Sequence, residues 1–153
     1  VSGAPVYVAA GAGEVGWPDT RFGVITLWHV LEHLRDPLET LTRLHRQLVP
    51  GGYLLLEVPN TASWQARRAG ERWLHWDPPR HLWHFTPGAL RQLLERAGFH
   101  DCWLQTGGNL PGWQRDRHGR KWLPAGLAWL FARLAAVAGR GGVLQVRCWK
   151  GKR

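Results

Sequence analysis

Two continuous apolar runs of strand length, separated by one amphipathic helix, constrain this chain more than any other feature. Phe22-Gly-Val-Ile-Thr-Leu-Trp28 and Tyr53-Leu-Leu-Leu-Glu-Val58 lack the alternation of a half-solvated strand, a pattern that suits strands buried on both faces of a sheet. Between them Asp36-Pro37 opens a helix, with Asp as the cap and Pro at the first helical position. Leu38, Leu41, Leu44 and Leu48 then recur at steps of 3, 3 and 4, one apolar stripe. Pro50-Gly51-Gly52 stops the helix and Pro59 stops the second strand. A strand, a crossover helix and a second strand make a right-handed unit with the two strands adjacent and parallel. The fold class expected is therefore α/β.

The rest of the chain extends this pattern. Residues 5–9 form a short β-rich run, followed by a Gly/Ala stretch over 10–16 and a turn over 17–21 that holds Pro18 and Asp19. Residues 60–85 are looser and carry Trp64, Trp73, Trp76 and Trp83. Thr86-Pro87 caps a second helix, whose buried face is Leu90, Leu93, Leu94 and Ala97 and whose stop is Gly98. Residues 101–104 resemble a strand, 123–138 an apolar helix, and Val143–Trp149 a last strand expected to run antiparallel. One domain is expected over 1–153, with a core over 5–111, a basic and apolar helical insert over 112–142, and the last strand over 143–150.

Charge is unevenly placed. Residues 1–111 balance ten Lys/Arg against ten Asp/Glu, whereas residues 112–153 hold ten Lys/Arg against Asp116 alone. That basic module reads either as a solvated face or as a surface for phosphates or anionic lipid. No apolar run is long enough to cross a membrane. Cys102 and Cys148 sit in apolar surroundings and are expected to be core thiols, which fits a cytoplasmic, reducing compartment, with peripheral membrane contact as the alternative. A chain that opens on Val-Ser-Gly-Ala-Pro, with no Met anywhere, reads as cut from something longer or started unusually.

Three blocks carry a family resemblance. Phe22 to Pro37 resembles the fourth strand and following turn of class I S-adenosylmethionine-dependent methyltransferases, and Leu48 to Asn60 the next helix end and fifth strand. Asp77-Pro-Pro-Arg-His-Leu-Trp-His-Phe-Thr-Pro87, with Leu93-Leu-Glu-Arg-Ala-Gly-Phe99, resembles the bacterial subgroup akin to ubiquinone-biosynthesis O-methyltransferases. The resemblance implies a partial Rossmann-like class I sheet lacking the first two strands, with the basic insert before the last strand. It implies S-adenosylmethionine as cofactor and methyl transfer to an oxygen of a small or lipid-linked acceptor. In that family the glycine-rich turn after strand one and an acid at the end of strand two hold the cofactor. Gly11-Ala-Gly13 is a poor substitute for the turn, and Gly23 stands where the fourth-strand motif usually has Asp. The chain alone is therefore expected to be inactive. The alternatives are a non-enzymatic half-domain needing a partner chain, with a homodimer through the exposed edge of Phe22–Trp28 as one outcome, or a basic membrane-surface module. A nucleic-acid module is the weaker form of that second alternative.

Site residues follow from two clusters. His29-Val-Leu-Glu32-His33 lies just past the first buried strand, at the rim where α/β sheets place their sites. It spells a zinc-protease pattern, but that chemistry needs both His on one helix face. The ubiquinone-type relatives have Glu-x-x-Glu-His here, associated with a divalent cation, so His29, Glu32 and His33 are the candidate metal ligands, expected to bind weakly. Trp28 and His29 are candidates for the cofactor-pocket rim. In the second cluster, His81 and His84 are candidate bases for an acceptor hydroxyl, and Arg80 a candidate partner for an acidic group on the acceptor. Trp73, Trp76, Trp122 and Trp129 suggest an aromatic lid. For each cluster the competing reading is simple packing.

Overall fold

The computed structural model describes residues 21–107 and 125–151, so the expectations for 1–20, for 108–124 with Trp122, and for the side chain of Trp129 lie outside the described residues. Within those residues one four-stranded sheet has the order β1-β2-β4-β3, with β1 Phe22–Trp28, β2 Leu48–Pro59, β3 Asp101–Gly107 and β4 Val143–Trp149. β1 and β2 pair in parallel as expected, and β4 runs antiparallel to both β2 and β3.

Capping chemistry sets the helices. In α1, Pro37–Gln47, the Asp36 carboxylate accepts from Glu39 N at 2.8 Å. In α3, Pro87–Arg96, the Thr86 hydroxyl accepts from Ala89 N at 3.2 Å. Each such cap is worth about 1 kcal/mol. Gly98 takes φ +97° at the end of α3, a conformation that suits glycine. Two elements differ from the sequence reading. Leu48 leaves the helix and starts β2, which runs through Pro50-Gly51-Gly52 because Gly51 adopts φ +82° and the ladder skips a register between Phe22 and Val24. Inside the looser segment, Ser63 caps a short helix α2, Trp64–Ala69, by accepting from Ala66 N, and two single turns of 3-10 helix follow.

The core occupies one face of the sheet. Leu27, Leu54, Leu56, Val58, Leu144, Val146 and Cys148 point to the side where α1 contributes Leu41 and Leu44 and α3 contributes Leu90 and Leu94. Full burial of each such side chain stabilises by about 1.5–3 kcal/mol. The expectation of strands buried on both faces is corrected here. Val24, Thr26 and Trp28 of β1 are exposed, and Tyr53, Trp103 and Trp149 continue the open surface. Both long crossover helices lie on one side, so continuous apolarity in these strands reflects aliphatic content rather than two-sided packing. Among the described residues the second face is covered at one end, where Ala66 and Trp73 pack on Val143.

Cys102 and Cys148 face each other in the β3–β4 register and form a disulfide, which corrects the core-thiol reading. Cysteine count carries no information about register, and that is where the expectation failed. α4, Ala125–Val137, supplies the helix anticipated over 123–138 and rests against β3 through Thr106 Oγ1, which donates to Ala136 O. No helix among the described residues is long and apolar enough to cross a membrane.

Candidate functional site

The site forms where β1 and β2 end. Just past β1 the chain turns sharply, because His29 takes φ +53°, a left-handed conformation that histidine, asparagine and aspartate adopt more readily than other residues with a side chain. Its backbone N still donates to Glu57 O, so the turn stays fastened to β2. A single 3-10 turn, Leu31–His33, then folds Glu32 inward until it is 1% exposed. The zinc-protease reading ends there, since no helix presents both histidines.

His29 stands between two carboxylates. Its Nδ1 is 3.2 Å from Glu32 Oε1 and its Nε2 is 3.2 Å from Glu57 Oε1. The hydrogen bond to Glu32 is the largest of several effects that raise its pKa, against partial burial, which lowers it. Glu57 in turn accepts from Gln145 Nε2 at 2.7 Å, and Gln145 Oε1 accepts from Gln105 Nε2 at 2.9 Å. One polar ladder thus crosses the open face from β1 to β3. The sequence did not reveal this ladder, although a lone Glu inside the run Leu-Leu-Leu-Glu57-Val-Pro was its signal.

The second cluster is tied onto the first. Leu82 N and Trp83 N both donate to Glu32 O, at 2.8 and 3.1 Å, and Trp83 Nε1 donates to Leu34 O. The loop therefore lays His81 beside His33, with ring centroids 4.7 Å apart. His33 Nδ1 donates to Arg80 O at 2.9 Å and His81 Nδ1 donates to His75 O at 2.8 Å. A carbonyl can only accept, so both rings carry the proton on Nδ1 and, when neutral, keep a lone pair on Nε2. One ligand atom from each of Glu32, His33 and His81 lies within 4.8 Å of the others. Among the described residues Glu32 Oε2 is buried without a hydrogen-bond partner.

The remaining candidates divide. Arg80 is exposed and its Nη2 lies 2.7 Å from Asp77 Oδ2, so the guanidinium is held by its own loop. His84 is exposed, with Nε2 donating to Trp76 O at 3.0 Å. Trp28 is 55% exposed on the rim. Trp73 is only 2% exposed and packs edge-on against Trp76 and His75, so it anchors the segment rather than forming a lid. His75, which the sequence reading passed over, has its pKa pushed down to about 4, chiefly by burial and then by His81 and His29.

A parallel β-α-β unit with polar side chains at the carboxyl ends of its strands defines an α/β fold with its candidate site at the usual rim. The family model described as "Methyltransferase domain" matches residues 6–102, and the chain belongs to that family. It is 35% identical over 95 residues to a ubiquinone biosynthesis O-methyltransferase of Cereibacter sphaeroides, covering 58% of this chain and 36% of that protein. A crystal structure of a SAM-dependent methyltransferase of Thermotoga maritima matches with a TM-score of 0.61 at 18% identity, covering 91% of this chain and 60% of that one. The cyclase SpnF matches with a TM-score of 0.57 at 17% identity, covering 94% and 55%. At such identities the likeness is one of fold, the class I methyltransferase fold. The chain spans about a third of the length of the curated relatives it matches, 32–36%.

Proposed function

We propose that this chain forms the acceptor side of an S-adenosylmethionine-dependent O-methyltransferase, with Glu32, His33 and His81 holding a divalent cation against the acceptor oxygen. The observation that carries this reading is the convergence of the three side chains, each already oriented. The carbonyls of Arg80 and His75 fix the two imidazoles, as outer-shell partners do for ligating histidines. The buried Glu32 Oε2 is an acceptor in search of a cation. The ligand set differs from the one expected from sequence: His81 joins it, and His29 instead braces Glu32 and Glu57. Two imidazoles and one carboxylate favour manganese, iron or zinc over magnesium. A cation bound there would lower the pKa of an acceptor hydroxyl. The chain's own groups then orient the acceptor. The Nδ1 of His84, on an exposed residue of the same loop, is the candidate base, whereas the Arg80 guanidinium is already paired with Asp77.

The described residues do not fit the whole cofactor. Among them no glycine-rich turn follows a strand to open a helix, and Gly23 stands where the family resemblance implies an acid, which leaves Trp28 and His29 as the candidate rim contacts. The test has two parts. Calorimetric titration of the 153-residue chain with manganese and zinc should show one site that is lost in His81→Ala and kept in His84→Ala. Titration with S-adenosylmethionine should show no micromolar binding. Tight metal binding that survives loss of Glu32, His33 and His81 would overturn the ligand assignment. Micromolar cofactor affinity would promote an enzyme active by itself.

A second reading, a half-domain completed by a partner chain or by a second copy, is supported by the exposed aromatics of the open face and by the place of β1 at the edge of the sheet among the described residues. Light scattering of the purified chain separates a monomer from a dimer.

A further inference from the structure

Helix α4 presents its apolar side to solvent. Leu127, Leu130, Phe131, Leu134 and Val137 are 40–90% exposed, whereas Ala132 and Ala135 are buried. At 100° per residue the five large side chains fall on one stripe, with the two alanines turned away from it. Its surroundings are cationic. Trp64 stacks on Phe131 with ring centroids 5.5 Å apart, which brings the start of α2 alongside. Arg67 lies one turn further along α2 and is exposed. Trp64 N donates to Arg140 O at 3.1 Å, placing Arg140 where α4 ends. The sequence holds no Asp or Glu after Asp116.

We infer that this face of α4 lies flat on an anionic lipid surface, with the leucine stripe in the acyl boundary and Arg67 and Arg140 at the headgroups. An α4 of 13 residues is about 20 Å long and cannot span a bilayer, so it lies in the interfacial plane. The chemistry argues against other occupants. Nucleic acid offers nothing aliphatic to the stripe. A second copy would set one cationic rim against another. An acidic lipid headgroup over an acyl layer satisfies both the stripe and the rim. This surface is distinct from the Glu32, His33 and His81 site and stands whether or not that site binds a cation.

The experiment is co-sedimentation of the full chain with phosphatidylcholine vesicles and with vesicles also carrying phosphatidylglycerol. Expected is preferential binding to the anionic vesicles that weakens as salt rises, about fivefold weaker for each of Arg67→Gln and Arg140→Gln. Leu130→Glu with Leu134→Glu should weaken it at least tenfold. These side chains are exposed, so circular dichroism and the melting temperature should hold. As a second probe, Leu130→Trp should shift its emission to the blue on adding anionic vesicles, against the wild-type spectrum. Equal binding to neutral and anionic vesicles, or none to either, would overturn the inference. So would a dimer that the double Glu variant dissolves, or nucleic-acid retention that needs the same leucines.

Discussion

The two faces of the sheet are built from the same four strands and obey different rules. One face meets α1 and α3 and is filled by leucine, valine and phenylalanine, while the other carries a ladder of His29, Glu57, Gln145 and Gln105 among exposed aromatics. Apolar packing resides on the first face, and the polar groups of the candidate site gather along the rim of the second. A site can be polar and open only because the opposite side holds the fold without it.

The sharpest way to break this contrast is Leu56→Ala. Leu56 is 1% exposed on the packed face, and its loss should cost about 2–5 kcal/mol in urea unfolding. The rim should respond to pH instead. His75 resists protonation until about pH 4, while the unfolded chain takes up that proton near 6.5. Stability should therefore fall as pH drops between those values, by roughly 3 kcal/mol, and His75→Phe should flatten that acid limb. His29 works in the opposite sense. Its raised pKa stabilises the fold below 6.5, and that contribution is lost as pH rises through the folded value. Smaller again is Asp36→Ala, which removes the cap of α1 and should cost about 1 kcal/mol by thermal melting. Smallest is Val24→Thr on the open face, where the side chain is 54% exposed and the melting curve should move by no more than about 0.5 kcal/mol.

The packed face was largely legible in the sequence because its determinants are local. Asp36-Pro37 and Thr86-Pro87 announce helix starts, and the spacing of Leu41, Leu44, Leu90 and Leu94 announces which side is buried. The open face was not legible, because Val24, Thr26 and Trp28 differ from inward residues only by what lies opposite them in space. The site was half legible. Glu32 and His33 belong to one short motif, but His81 is brought to them by Leu82 N and Trp83 N bonding to Glu32 O and by His33 Nδ1 bonding to Arg80 O, contacts that no spacing encodes. The short helix α2 escaped notice because its one signal was Ser63.

The bond between Cys102 and Cys148 closes a ring of polypeptide with a sequence separation of 46, and α4 lies inside that ring. A single peptide cleavage anywhere within it changes the chain's connectivity without releasing a piece. β3 and the stretch before the cut stay fastened to β4 and the stretch after it. On a denaturing gel such a nicked molecule would run as one species until a thiol is added and as two afterwards. The helix inferred to rest on lipid could thus be cut from its neighbours in sequence and still remain cargo of the sheet.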